Sequence, residues 1–268
     1  MGNHTTIIAE IGENFIGDLD IAASLVDKAA EAGADIVKFQ SYRWQDFRDD
    51  DPEKEWFKKV TLSDAAHFML KERADKAGIG FLSTPFTVER AKFLVEQLGL
   101  RQIKIASGIM LNFPIMDYIN NSGVEHVLVS TGMATIDEIN AAVKMLNKIK
   151  SITILHCVTQ YPCRDEDANL TAIQTLLKQF QHPIGYSDHT IGTDACIAAA
   201  ALGASVIEKH YTFDNNCKEG TDHEISVEPA ALRSMVQSIR RVEKMLGSGI
   251  KVPCSGEREI INFVRNRF

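Results

Sequence analysis

Residues 20–40 read DIAASLVDKAAEAGADIVKFQ, and this stretch contains one complete structural unit of the chain. An amphipathic segment predicts a helix over residues 20–32, and Gly33 follows it as a residue that ends a helix at little conformational cost. Ile36–Gln40 is then a short β-rich run. A helix that passes through a glycine turn into an apolar strand is typical of α/β proteins with parallel strands.

The same unit recurs outward in both directions along the chain. The predicted strands are Thr6–Ile11, Ile36–Gln40, Gly80–Ser83, Gln102–Ala106, His126–Ser130, Ile152–Val158, Ile184–Ser187 and Ser205–His210. The predicted helices lie near 20–32, 63–77, 88–98, 113–121, 135–148, 169–180, 193–202 and 229–246. Eight such units predict a single-domain (β/α)₈ TIM barrel, with an open doubly wound sheet as the alternative. Residues 11–17 read IGENFIG and lack the Gly-x-Gly-x-x-Gly loop that many doubly wound nucleotide-binding proteins carry.

Composition limits the function classes that remain open. The formal net charge of −7 argues against a nucleic-acid binder that uses a broad basic face. No apolar run is long enough to span a membrane, and the polar start of the chain does not resemble a signal peptide. The five cysteines are odd in number and include no Cys-x-x-Cys pair, which indicates reduced thiols. We therefore expect a cytoplasmic protein.

Polar residues interrupt the apolar strands mainly at their carboxyl ends, where barrel enzymes place their chemistry. In strand order, these residues are Glu10; Lys38 and Gln40; Ser83 and Thr84; Lys104 and Ser107; Ser130 and Thr131; His156; Ser187 and His189; and Glu208 and His210. Two long segments, 41–62 and 211–228, follow strands two and eight. Long loops at this end of a barrel usually cover an active site.

The two strand lysines are the most informative of these residues. Lys38 and Lys104 are each flanked by apolar neighbours, and a buried ammonium group without a partner costs several kcal/mol. We interpret the pair as a site for a bound anion; internal salt bridges with Glu10 or Glu208 are the alternative. The nearby serine and threonine hydroxyls suit phosphate or carboxylate oxygens.

Two histidines suggest a metal site in the same place. His189 and His210 end neighbouring strands, and neutral imidazole is a common transition-metal ligand, although buried core histidines remain the alternative. His156 has no second feature that supports a role, so we interpret it as structural. Asp222 lies in the last long loop, where a carboxylate is more often solvated than functional. An anionic substrate and a metal are compatible with an aldol-type condensation, a metal aldolase or an epimerase.

An ordered set of motifs resembles one known family, the N-acetylneuraminate (sialic acid) synthases. The resemblance covers roughly residues 6 to 255. Its motifs are IAEIG at 8–12, AGADIVKFQ at 32–40, FLSTPF at 81–86, KIASG at 104–108, STGMAT at 130–135, YSDHT at 186–190 and EKHYT at 208–212.

The resemblance implies a transferase that joins phosphoenolpyruvate to an open-chain N-acyl amino sugar, such as N-acetylmannosamine or its 6-phosphate, and releases phosphate. It implies catalytic roles for Glu10 and Asp222, and metal ligation of Mn²⁺ or Mg²⁺ by His189 and His210. The positions that match the family's substrate-binding residues are Lys38, Gln40, Thr84, Lys104, Ser107, Ser130, Tyr161 and Ser187. It also implies a homodimer.

The resemblance has two departures. Phe15 stands where the family commonly has histidine, so contacts from the first loop to the sugar are expected to differ. The family's barrel is usually followed by a small antifreeze-like domain. We expect residues 1–250 to form the catalytic barrel and residues 251–268 to be a tail where the linker to that domain would start. Another phosphoenolpyruvate- or metal-dependent barrel lyase or transferase, or a subunit that needs a separate antifreeze-like partner, are the alternatives.

Overall fold

Eight parallel strands form the centre of the computed structural model, which describes residues 4–220 and 222–267. Their hydrogen-bonded order is β3-β2-β1-β8-β7-β6-β5-β4, and β3 and β4 at its two ends lie against each other. The strands therefore make a nearly closed single-domain TIM barrel, as the sequence predicts. The strands are β1 Thr6–Gly12, β2 Ile36–Ser41, β3 Gly80–Pro85, β4 Gln102–Ile105, β5 His126–Ser130, β6 Ser151–Cys157, β7 Ile184–Asp188 and β8 Val206–His210.

Most of the helices cover the outside of the barrel and connect successive strands. They are α1 Leu19–Ala32, α2 Lys54–Val60, α3 Asp64–Ala77, α4 Val88–Lys92, α5 Phe113–Asn121, α6 Ile136–Met145, α7 Ala172–Gln179, α8 Asp194–Ala201, α9 Pro229–Leu246 and α10 Ser255–Arg265. None of the helices in the described ranges is long and apolar enough to cross a membrane.

Helix α1 shows how the local sequence sets these boundaries. The Asp18 carboxylate accepts hydrogen bonds from the backbone N–H groups of residues 20 and 21, which otherwise have no partner within the helix. Gly33 adopts a φ of 88° and its N–H bonds to the carbonyls of residues 29 and 30, so the helix ends there and the chain enters β2. Between these ends, Leu25 and Val26 are buried in the cluster shared with the strands.

The period of two along each strand divides the barrel interior into two layers. The lower layer is an apolar cluster of Ile8, Leu82, Leu128, Leu155 and Val206. Two residues later on the same strands, and so on the same face, come the side chains Glu10, Thr84, Ser130, Cys157 and Glu208. The apolar layer closes the barrel below, and the polar layer forms the floor of a cavity at the carboxyl ends of the strands.

Three regions differ from the secondary structure that the sequence predicts. Helix α2 lies inside the long segment 41–62, where we expected only a loop. The helix predicted over 88–98 is α-helical only to Lys92 and continues as a π-helical turn at Phe93–Gln97. Helix α10 lies in the predicted tail, and none of its residues is buried. Residues 1–3 of the predicted barrel range 1–250 and residue 268 of the predicted tail 251–268 lie outside the described residues.

Candidate active site

One cavity of about 490 Å³ opens at the carboxyl ends of the strands and collects the predicted site residues. All twelve of them line it: Glu10, Lys38, Gln40, Thr84, Lys104, Ser107, Ser130, Tyr161, Ser187, His189, His210 and Asp222. They come from all eight strands or the loops that follow them, so the barrel geometry alone brings together residues far apart in sequence.

The floor of the cavity contains two lysines and two glutamates, all buried. The Lys38 ammonium lies 2.7 Å from the Glu10 carboxylate and 3.7 Å from that of Glu208. Lys104 reaches across the barrel to Glu208 at 2.7 Å. Internal salt bridges, the alternative to a bound anion, are therefore present. They do not exclude anion binding, because the same ammonium groups line the cavity.

Burial and mutual attraction shift the pKa values of these groups in different directions. Although burial alone raises the pKa of Glu208, the charges of Lys104 and Lys38 outweigh it and lower the pKa to about 2. Burial raises the pKa of Glu10 against the opposing charge of Lys38. Glu208 is thus held ionised, whereas the protonated form of Glu10 is favoured relative to an exposed glutamate.

Three serine hydroxyls line the cavity close to these charges. The Ser187 hydroxyl donates to Glu208 Oε1 at 2.9 Å, and Ser107 Oγ accepts the backbone N–H of Gly132 at 3.0 Å. The buried Ser130 Oγ has no hydrogen-bond partner among the described residues. A buried hydroxyl without a partner is costly unless a ligand or water satisfies it, so Ser130 retains hydrogen-bonding capacity directed at whatever occupies the cavity.

Two imidazoles lie side by side at the carboxyl ends of β7 and β8. The ring centroids of His189 and His210 are 5.2 Å apart, and burial lowers the pKa of both rings, so both are neutral. His189 Nδ1–H donates to the Val158 carbonyl at 2.6 Å, which leaves Nε2 with a lone pair. Within the part of the chain that the structure describes, the buried His210 Nδ1 makes no hydrogen bond, and it lies 3.4 Å from Asp222 Oδ2.

This donor set fits a divalent metal ion in part. A metal-ligating histidine usually donates its second ring N–H to a carbonyl or carboxylate, as His189 does to Val158. Within residues 4–220 and 222–267, however, no group of three or more His, Cys, Asp or Glu side chains is placed to hold a metal. The protein therefore offers two imidazole nitrogens, and a metal would need its other ligands from substrate or water.

The mouth of the cavity carries the remaining predicted residues. The Tyr161 ring lies 4.0 Å from that of His189, and 48% of the tyrosine is exposed. Gln40 also lines the cavity and stands two residues after Lys38 on β2. Phe15, at the position of the family's histidine, is instead buried against Phe39 and is not among the lining residues.

Sequence reasoning did not select six further lining residues, which are Phe86, Ala106, Gly108, Cys157, Thr159 and Glu208. Glu208 was recognised as a polar residue at a strand end and as an ion-pair partner but was given no role in the site, although it stands two residues before His210 and so shares its face of β8. Cys157 lies two residues after the apolar Leu155 and could have been found by the same alternation. Phe86 lies in the loop after β3, where no strand periodicity identifies it.

Comparison with known proteins places the chain in one family. The NeuB family model matches residues 25–251, and the chain belongs to this family. An uncharacterized protein of Methanocaldococcus jannaschii is 46% identical over 97% of this chain and 77% of its own length. The N,N'-diacetyllegionaminic acid synthase of Campylobacter jejuni is 41% identical over 97% of this chain and 83% of that enzyme. The crystal structure of an N-acetylneuraminic acid (sialic acid) synthetase from Leptospira borgpetersenii superposes with a TM-score of 0.92, at 38% identity, over 99% and 93% of the two chains.

Proposed function

We propose that this protein is a nonulosonate synthase, which condenses phosphoenolpyruvate with an open-chain N-acyl amino sugar and releases inorganic phosphate. The observation that carries the proposal is the convergence of two buried lysines, unsatisfied hydroxyl capacity and two neutral imidazoles in one barrel-mouth cavity. Membership of the NeuB family supports it, because relatives at 38–41% identity are named as synthases of sialic or legionaminic acid.

In this proposal the cavity floor binds phosphoenolpyruvate. Lys38 and Lys104 offset the negative charge of the phosphate and carboxylate, and the hydroxyls of Thr84, Ser107, Ser130 and Ser187 donate hydrogen bonds to their oxygens. Gln40 and Tyr161 border the space above, where the sugar aldehyde would lie. Holding both reactants in one cavity brings the nucleophilic C3 of phosphoenolpyruvate close to the aldehyde carbon.

The bond changes follow from the chemistry of the two substrates. C3 forms a bond to the aldehyde carbon, and the positive charge that develops at C2 is captured by water. The C2–O bond to phosphate then breaks and C2 becomes a ketone. Of the two protons of the captured water, one leaves with the phosphate and the other restores the proton that Glu10 gives up. Glu10, with its raised pKa, provides a proton for the developing alkoxide, and Asp222 contacts the sugar. A Mn²⁺ or Mg²⁺ ion held by His189 and His210 would polarise the aldehyde.

Phosphate release by the purified chain tests the proposal. The assay combines phosphoenolpyruvate and manganese or magnesium with neutral N-acyl amino sugars, including those that lead to sialic and legionaminic acids, and with their 6-phosphates. We expect release that depends on one acceptor and that yields a stoichiometric nonulosonic acid by mass spectrometry. A reaction without acceptor gives the background hydrolysis.

The alternatives predict different results in the same assay. A barrel transferase or lyase with another acceptor would bind phosphoenolpyruvate but release no phosphate with any amino sugar. A subunit that needs a separate antifreeze-like chain would be inactive alone and gain activity when that chain is added in equal amount. We also propose a homodimer, which light scattering of the active protein measures directly.

A further inference from the structure

Glu208 occupies a central position among the charges on the cavity floor. Only 4% of its side chain is exposed. One carboxylate oxygen lies 2.7 Å from Lys104 and accepts the Ser187 hydroxyl, and the other lies 3.7 Å from Lys38. It is thus the carboxylate that both lysines share, while Glu10 pairs with Lys38 alone among the ion pairs of the described residues.

This arrangement has two opposite energetic effects. Without Glu208, the empty cavity would contain two buried ammonium groups with a single counter-charge, which is destabilising. With Glu208 in place, part of the attraction that Lys104 and Lys38 offer to an incoming anion is already cancelled. A phosphate group therefore competes with the glutamate for the same ammonium protons.

The cavity nevertheless keeps features that point to an anionic ligand. The Ser130 hydroxyl is 2% exposed, lines the cavity and has no hydrogen-bond partner. Ser107 lies on the same wall with its hydroxyl oriented by the Gly132 backbone N–H. The Ser107 hydroxyl also donates to Cys157 Sγ at 3.7 Å, so Ser130 is the unsatisfied hydroxyl of this pair. The internal carboxylate is thus combined with a buried hydroxyl that it does not satisfy, which is the pattern of a site that is filled by a second anion during use.

We propose that Glu208 is a built-in competitor for the anion site. It is a positioning residue that holds Lys38 and Lys104 in place while the cavity is empty. It also lowers the affinity of the two lysines for phosphate, so that this product leaves after the reaction. The inference rests on the proposed function in one respect: that inorganic phosphate is a product of this cavity.

The test is the affinity of the Glu208→Gln variant for inorganic phosphate, measured by isothermal calorimetry on the purified chain. Glutamine keeps the size of the side chain and can accept the Ser187 hydrogen bond, but it removes the charge. We expect phosphate to bind about 10-fold or more tightly than to the wild type. The variant should melt at a lower temperature without ligand and regain more stability than the wild type when phosphate is added.

A purely structural role for Glu208 predicts a different result. The variant would then also melt at a lower temperature, but its phosphate affinity would be equal to or weaker than that of the wild type, and this outcome would overturn the proposal. Asp222→Asn is the matched control, because it removes a carboxylate from the same cavity that pairs with His210 rather than with a lysine. Its phosphate affinity should change less than about threefold, and equal tightening in both variants would also overturn the proposal.

A second variant covers the case in which Glu208→Gln does not fold. Glu208→Asp keeps the charge but withdraws it from Lys104 by one methylene group, so phosphate should bind more tightly than to the wild type by a smaller factor. Unchanged or weaker binding in this variant would contradict the proposal. If the wild type released no phosphate with any acceptor, the proposed function would fail, whereas these binding measurements would still decide the role of Glu208.

Discussion

At the residue scale, the central feature is that every charge on the cavity floor has a partner of opposite sign. Lys38, Lys104, Glu10 and Glu208 together carry no net charge when all are ionised. Such clusters contribute little net stability, but removing one member leaves an uncompensated buried charge and costs about 3–5 kcal/mol. Substitutions here therefore need a stability measurement beside any functional one.

Lys104→Ala tests the anion site. We expect phosphoenolpyruvate to bind at least about 10-fold more weakly, because a positive charge facing the cavity is lost. Calorimetry on the folded variant measures this change. Lys150→Ala is the control, since that exposed lysine pairs with Glu125 at the other end of the barrel. Unchanged affinity in the Lys104 variant would count against the proposed site.

His210→Ala tests the metal site. The variant should lose Mn²⁺ binding and turnover while it keeps its far-ultraviolet circular dichroism, because one of two imidazole donors is removed. His126→Ala provides the comparison, since His126 bonds to Thr153 outside the cavity lining and its loss should leave metal binding intact. Full activity of the His210 variant without metal would refute the metal assignment.

The sequence predicted twelve of the residues that line the cavity but left the state of the lysines open. Strand alternation alone places Lys38 and Lys104 on the cavity face. Whether they meet Glu10 or Glu208 depends on strand register and on the width of the barrel. Lys38 pairs with its register neighbour Glu10, whereas Lys104 meets Glu208 across the interior, a contact that no local pattern specifies.

At the scale of elements, helix α2 and the loop after β8 meet beside the cavity mouth. Trp56 on α2 donates from Nε1 to Glu13 at 2.6 Å, and Tyr42 donates to the other Glu13 oxygen at 2.6 Å. Lys59 pairs with Glu219, and the Trp56 ring packs directly on Gly220. These contacts fix the loop that carries Asp222.

Gly220→Ala tests this contact. A Cβ atom would lie 2.7 Å from the Trp56 ring, and φ at this position is 86°, so the loop has to move. We expect KM for the acceptor to rise about 10-fold as Asp222 is displaced, an effect of about 1.4 kcal/mol. Steady-state kinetics measure it.

Gly78→Ala separates the clash from the backbone strain. Gly78 also has a positive φ, 72°, but an added Cβ meets nothing within 4 Å. This variant should lose stability through the same kind of backbone strain as Gly220→Ala. It should keep the wild-type KM, because it has no clash. A raised KM in both variants, or in neither, would contradict the assigned role of the α2 contact.

Helix α3 contributes a pH-dependent term to stability. Burial, with a smaller contribution from Arg90, lowers the pKa of His67 to about 4, from an ordinary value of 6.5. The neutral ring is favoured in the folded state, so its contribution is fully present above about pH 6.5 and is lost as the pH falls towards 4. The free energy of unfolding should fall by about 1.4 kcal/mol per pH unit in this window, to a total of about 3 kcal/mol.

Urea unfolding of the wild type and of His67→Leu between pH 7 and 4 measures this term. The variant should show the shallower pH dependence, because leucine does not titrate. Parallel pH profiles in the two proteins would rule out the assignment.

Sequence patterns did not identify helices α2 and α10, and the reasons are physical. Helix α2 is seven residues long and too short to be stable alone, and it is fixed by contacts with Glu13 and Gly220 that lie far away in sequence. Helix α10 is exposed on all sides, so no burial pattern with the barrel identifies it. By contrast, the long helices that pack on strands were recognised because their apolar spacing reflects that packing.

At the scale of the whole molecule, the barrel elements run from β1 to the end of α9, and α10 lies apart from their core. Ile260, Phe263 and Val264 on α10 are all more than half exposed. The barrel therefore gains no buried apolar surface from this helix.

Truncation after Ile250 tests the independence of the barrel. We expect the melting temperature to stay within about 2 °C of that of the full chain, because none of the described residues 251–267 is buried. Differential scanning calorimetry measures it. A fall of more than about 5 °C would mean that residues beyond 250 stabilise the barrel, and would move the predicted domain boundary.

The two-layered barrel interior also affects how the sequence of the protein can evolve. On each contributing strand the residue that secures the fold and the residue that faces the ligand are only two positions apart, as Ile8 and Glu10 show. The first nevertheless determines only the stability of the fold, and the second only the contacts with the ligand. New acceptor preferences can accumulate in the upper residues and their loops while the lower ones stay unchanged. The same barrel can therefore acquire new substrate specificities without changes to the residues that stabilise its fold.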